Sequence, residues 1–301
     1  MRTSFLIALV LLGPGLLFSS GARAAALEIV YSSDPEPAWA RQFDFEARDA
    51  YRWVTRWIPD SRAAEPLIVR FERVGGALGW VSDPLERPEL ARTLLIDESL
   101  IGSWSAKLVL IHELVHLLRH AANPTEVRWL DEGLANTVTA LYAKSWPATL
   151  DRRLCDSGSV SLTSDPAAFS PGGDGYTGSF LFVHYLAKKL GGWRFISALA
   201  ASRESGWTNI AESARLAADS GAISRRLAEL RPEELWQGFA RALFLNEPLE
   251  GEAFGLSLFD PGFIALSQRR QCHSKALPSG DPREPFIRFH ATGAPQIYWP
   301  N

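Results

Sequence analysis

Apolar positions follow two rhythms along this chain. Leu27–Tyr31, Leu67–Phe71 and Leu94–Ile96 are short β-rich runs bounded by turn or polar residues. Between the first two, Trp39, Phe43, Ala47, Ala50, Val54 and Trp57 recur at helical spacing. They predict a helix from Pro37 to Trp57 that stops at Pro59. Gly75-Gly76, Gly79 and Asp83-Pro84 mark turns. A helix capped by Ser103 or Ser105 runs to about His120, Pro124 breaks the chain, and Thr125–Tyr142 is the next helix. Residues 156–178, rich in Gly, Ser, Pro and Asp, are read as loop. Ser179–Leu190 is helical, with Lys188 and Lys189 in its last turn and Gly191-Gly192 at its end. Trp193–Ala201, Asn209–Ala218, Ile223–Leu230 and Pro232–Leu245 keep the helical rhythm. Residues 251–301 have little period, apart from a possible strand at Phe286–Phe289. Strands with helices first, then mostly helices, imply an α+β fold with no internal repeat. Trp53 and Trp57, one turn apart, are read as core packing in preference to a sugar-stacking platform.

The first residues have a different pattern. Arg2, the apolar stretch Phe5–Phe18 and the A-x-A site Ala22-Arg23-Ala24 read as a secretory signal peptide, residues 1–24. The stretch contains Pro14 and falls short of the roughly 20 apolar residues of a membrane span. The expectation is an exported protein, periplasmic or secreted, with no stable span after cleavage. In an oxidising compartment a disulfide between Cys155 and Cys272 is the default. The competing reading, Cys272-His273 as metal ligands, lacks a second Cys/His pair at short spacing.

Composition changes the picture little. In a chain of 301 residues, 47% hydrophobic and 22% charged residues indicate a folded protein with a sizeable core. The net charge is −3, and basic residues come as scattered pairs such as Arg152-Arg153, Arg225-Arg226 and Arg269-Arg270. That argues against a nucleic-acid or anionic-membrane partner.

The chemistry lies on two adjacent helices. His112-Glu113-Leu114-Val115-His116 is an H-E-x-x-H motif, which a chain with only six histidines seldom shows by chance. Leu108–Leu118 is apolar nearly all round, so the helix is buried. His112 and His116 stand one turn apart on one face and need partners there. A single zinc ion held by both imidazoles meets that need. Glu113, about 100° round from His112, can reach a water beside the ion. The alternative is a pair of core histidines bonded to backbone or carboxylate groups.

A catalytic zinc takes a third protein ligand and keeps one position open. In Trp129-Leu130-Asp131-Glu132-Gly133-Leu134-Ala135, Glu132 points away from the apolar stripe Val127, Leu130, Leu134, Val138 and Leu141. It shares its face with Trp129, Asn136 and Thr139, a face read as free of Lys and Arg and turned toward the His helix. Glu132 is the expected third ligand, with Glu126 or Asp131 as substitutes. Asn136, one turn on, can steady a ligand or simply be a polar surface residue.

These motifs resemble the gluzincin zinc metallopeptidases, the group that includes the thermolysin and M1 aminopeptidase families. The closest likeness is to the small peptidase MA-like domains of bacterial exported proteins, over about residues 66–200. The resemblance implies His112, His116 and Glu132 as zinc ligands and Glu113 as general base. It also implies a small mixed sheet beside the buried H-E-x-x-H helix, then a helical subdomain. The expected organisation is a domain over 25–250, with its sheet-containing part at about 25–122 and its helical part at 123–250. A C-terminal extension, 251–301, follows. The Gly-x-Met-Glu-Asn segment with which M1 aminopeptidases hold a free N-terminus is absent.

Gly173-Asp174-Gly175-Tyr176-Thr177-Gly178 formally matches G-x-G-x-x-G, but no strand precedes it. It reads better as a loop opening a helix. Tyr176 resembles the Tyr that precedes the corresponding helix in gluzincins, where its hydroxyl would stabilise an oxyanion; the alternative is a packed aromatic. His184 is read as a core or groove histidine, and His120 as a helix-end residue suited to the dipole. The strand Leu94–Ile96 is a candidate to pair with an extended peptide. The expected function is hydrolysis of peptide or protein substrates by an exported zinc enzyme. The alternative is a zinc-containing peptide-binding or scaffold module of the cell envelope, and the oligomeric state is left open.

Overall fold

The computed structural model describes residues 27–61, 65–81, 90, 92–143, 159–162, 175–245, 286–288 and 296–298. The expected signal peptide, both cysteines and most of the C-terminal extension lie outside the described residues. Among the described residues, no helix is long and apolar enough to cross a membrane.

Strand β1 (Leu27–Tyr31) leads into helix α1 (Pro37–Thr55). Pro37 opens that helix, and the Glu36 carboxylate accepts from the N–H groups of Ala38 and Trp39. The chain returns as β2 (Leu67–Glu72), parallel to β1 in the register Leu27↔Leu67. The turn residues that follow lead to a strand the glycines had hidden, β3 (Gly79–Val81). Then comes β4 (Thr93–Asp97), parallel to β2 and antiparallel to β3. The sheet order is β1-β2-β4-β3. Thr93 to Ile96 are all buried, whereas burial along β2 alternates with exposure. Continuous burial marks a strand covered on both faces.

Helix α2 (Ser105–Ala122) follows a 3₁₀ turn and crosses the β3–β4 edge. The Ser105 N–H donates to Ser103 Oγ. Next are α3 (Arg128–Ala143), β5 (Ser159–Ser161) and α4 (Gly175–Lys189). The remaining helices are α5 (Trp193–Ala201), α6 (Gly206–Asp219), α7 (Arg225–Ala228) and α8 (Pro232–Leu245). The tail supplies β6 (Phe286–Arg288) and β7 (Gln296–Tyr298), which build an antiparallel sheet on β5. The fold is therefore α+β and mostly helical, with one small mixed four-stranded sheet.

One apolar core runs through both halves. Tyr31, Trp39, Phe43 and Phe71 stack between the sheet and α1. Phe182 packs among Trp129, Trp207, Trp236 and Phe239 in the helical half. Trp53 meets Tyr142 and Trp193, and Trp57 stacks on Trp193 at 4.3 Å between centroids. Trp53 on α1 and Trp57 just past its end thus pack against neighbouring helices.

Candidate metal centre

The two halves meet at α2 and α3. The i, i+4 spacing stacks His112 and His116, and their Nε2 atoms approach to 3.0 Å. Glu132 reaches in from α3, its Oε2 3.3 Å from His112 Nε2 and 3.5 Å from His116 Nε2. Four ligands around zinc at bond lengths of about 2.0–2.2 Å lie roughly 3.3–3.6 Å apart. The donors could hold one such ion, and two imidazoles with a carboxylate are a donor set that zinc accepts. Glu132 Oε2 is moreover buried and accepts no hydrogen bond. An orphaned carboxylate oxygen in a protein interior is expensive unless something else meets it.

Asp131, one of the substitutes for the third ligand, stands behind the site. Its Oδ2 lies 2.7 Å from His116 Nδ1 and 3.4 Å from His120 Nε2. A proton on Nδ1 donated to Asp131 leaves the lone pair of His116 on Nε2, facing Glu132. Burial opposes the charge on Asp131, but His116 and His120 hold its pKa far below the ordinary carboxylate value. Burial also opposes the charge on Glu132, and His116 and His112 likewise hold it low. Burial lowers the His116 pKa, yet the charges of Asp131 and Glu132 leave it well above the usual value.

Glu126, the other substitute, is fully engaged elsewhere. It pairs with the buried Arg119 and accepts from Val127 N, Ser205 Oγ, Gly206 N and Asn209 Nδ2. Asn136 donates to the main-chain oxygen of Glu132, not to its carboxylate. The bond thus goes to the helix backbone of α3.

Glu113 is 7% exposed and lies under β3. A Cβ on Gly79 would stand 2.6 Å from Glu113 Oε1 and 2.5 Å from Val109 Cγ1, so only glycine lets the strand pass. Burial raises the Glu113 pKa, the two histidines lower it, and Glu132 and Asp131 raise it further. A carboxylate shifted upward is better matched to proton transfer near neutral pH. The opposite wall is α4. Gly133, next to Glu132, lets α4 cross closely, since a Cβ there would sit 2.5 Å from Ser179 O. Tyr176 lies in the first turn of α4, half-buried, not in a preceding loop. Burial raises its phenol pKa, as does the charge of Glu132; Arg128, His116 and Glu113 also act on it.

Two expectations change. β4 is interior, bonded on one side to β2 and on the other to β3, so Leu94–Ile96 has no edge to offer a peptide. The edge belongs to β3. Asp97 N donates to Leu78 O, and ladder alternation turns the N–H and C=O of Gly79 outward. Nor is the Glu132 face of α3 free of cations. Arg128, one turn earlier, places Nη2 3.8 Å from Glu132 Oε1. The i−4 spacing in the sequence could have shown it.

No family model and no curated protein matches the chain.

Proposed function

We propose that this chain is a zinc-dependent metallopeptidase of the gluzincin type that hydrolyses peptide bonds outside the cytoplasm. The observation that carries this reading is the convergence of His112, His116 and Glu132 within 3.0–3.5 Å, with Glu113 buried beside them. His112 Nε2, His116 Nε2 and Glu132 Oε2 would hold the ion. When bound, zinc supplies Lewis-acid chemistry, polarising a carbonyl and making a water acidic near neutral pH. Glu113 takes the water proton and passes it to the leaving nitrogen. The Tyr176 hydroxyl donates to the oxygen that gains charge. The outward peptide group of Gly79 pairs with the substrate backbone and lays it over Glu113. Asp131 keeps His116 in the tautomer that offers Nε2. Export rests on the leader pattern of residues 1–24.

The test is digestion of a mixed peptide library by the purified mature chain, read by mass spectrometry, beside Glu113→Gln. Cleavage by the wild type should fall about 10²- to 10⁴-fold in the variant. Equal cleavage by both would reject Glu113 as the base. No cleavage by a folded, zinc-loaded wild type would favour a peptide-binding module.

A further inference from the structure

Glu132 divides its two oxygens between different neighbours. Oε2 faces His112 and His116, while Oε1 faces the guanidinium of Arg128 at 3.8 Å. At that separation the contact is an ion pair, not a hydrogen bond. Arg128 is the first residue of α3, so its side chain stands where the helix opens beside the site. That side chain is 45% exposed against 10% for Glu132, which puts the guanidinium on the border between the site and solvent. The charge of Arg128 also acts on the Tyr176 hydroxyl, as do those of Glu132, His116 and Glu113. The cation and the phenol therefore both lie within electrostatic reach of Glu132. Among the described residues, Glu113, Asp131 and Glu132 are the acidic groups acting on the histidines.

A planar guanidinium with several N–H donors matches a carboxylate in two-point fashion, and such charge-assisted bonds are the strong ones. A peptide whose scissile carbonyl sits between Glu113 and Tyr176 would lie beside Glu132, and so near Arg128. Building on the peptidase reading, we propose that Arg128 anchors a substrate carboxylate next to the scissile bond, so that peptides bearing one are the preferred substrates. That carboxylate is either an acidic side chain or the free C-terminus.

The experiment uses matched peptides built on one cleaved sequence. One pair exchanges Glu for Gln beside the scissile bond, and the other exchanges a C-terminal acid for the amide. kcat and KM are measured for wild type, Arg128→Gln, Arg128→Lys and Arg128→Glu, with zinc content recorded for each. Hydrogen bonds to charged groups predict that the wild type favours the carboxylate member of one pair about tenfold or more, mainly in KM. The responding pair tells which source of carboxylate is read. Arg128→Gln should erase the preference, Arg128→Lys keep part of it, and Arg128→Glu reverse it.

An unchanged preference in Arg128→Gln would overturn the proposal. So would an equal loss on every peptide together with lower zinc content, which would make Arg128 a brace for Glu132. A wild type that cleaves nothing rejects the peptidase reading instead. Binding of the same peptides to Glu113→Gln, with and without Arg128→Gln, then decides on Arg128 without turnover. Charge-blind binding there also overturns the proposal.

Discussion

Glu126 and Glu132 are both buried carboxylates packed against α2, and they are used in opposite ways. Each Glu126 oxygen accepts hydrogen bonds, from Arg119, main-chain N–H groups, Ser205 or Asn209. Arg119, 0% exposed, spends its other donors on the carbonyls of Ala200 and Ser202. That cluster ties the end of α2 to the start of α6 and leaves nothing over. Around Glu132 the polar groups are left short: Glu132 Oε2, Asp131 Oδ1 and His120 Nδ1 are buried without hydrogen-bond partners. The saturated cluster serves the fold, and the unsaturated one leaves room for a further partner.

The contrast gives its largest effect when each cluster is broken in turn. Arg119→Met strands the Glu126 charge and should cost about 3–5 kcal/mol in urea unfolding, with or without zinc. Its gain in stability on adding zinc should survive. Glu132→Gln should behave the other way. Wild type is expected to gain about 2.7 kcal/mol at a free zinc concentration of 100 Kd, and the variant nothing. A zinc-dependent gain that persists in Glu132→Gln would remove Glu132 from the ligand set.

Asp131→Asn gives a finer test. It removes the charge behind His116 and leaves the shape, so zinc affinity should fall about 10- to 100-fold in competition with a chromophoric chelator. An unchanged affinity would show that Asp131 does not orient His116.

The smallest effect lies outside both clusters. Burial, and then the charge of Lys188, push the His184 pKa down to about 4. The unfolded value is about 6.5, so this residue stays neutral in the fold while the unfolded chain takes a proton. Its contribution is therefore full above about pH 6.5 and is lost as pH falls toward 4. A loss on the order of 1 kcal/mol is expected between pH 6.5 and 5.5. Thermal unfolding of metal-free wild type and His184→Leu should show a flatter pH dependence in the variant.

How much of this could be read in the sequence varied with how local the cause was. His112, Glu113 and His116 were legible because helical spacing inside an apolar run leaves two imidazoles with few other partners. Glu132 followed from the apolar stripe on its own helix, but Arg128 on that same face was overlooked. β3 was missed because Gly79 and its neighbours read as turn chemistry. The glycine is there to let a strand pass over Glu113 and Val109, a long-range cause without a local mark. α4 covers Gly175–Gly178, ahead of the expected Ser179, with Gly175 and Gly178 buried in its first turn. β6 falls within the expected strand Phe286–Phe289, whereas β5 and β7 are three residues each with no local period, and β5 finds its partner only in a distant segment.

The three donor residues lie within one helical hairpin, between positions 112 and 132 of the chain. Closing so short a segment costs little entropy, since that cost grows only with the logarithm of loop length. A chain that has docked no more than α2 on α3 already brings these three donor groups together. Gly79 and Tyr176 come from outside that hairpin, one from the sheet and one from α4. If the proposed function holds, ion capture can thus precede cleavage during folding. On the proposed metallopeptidase reading, a nascent or partly unfolded molecule would be metal-loaded yet inert, and hydrolysis would begin only once the distant segments close around the hairpin.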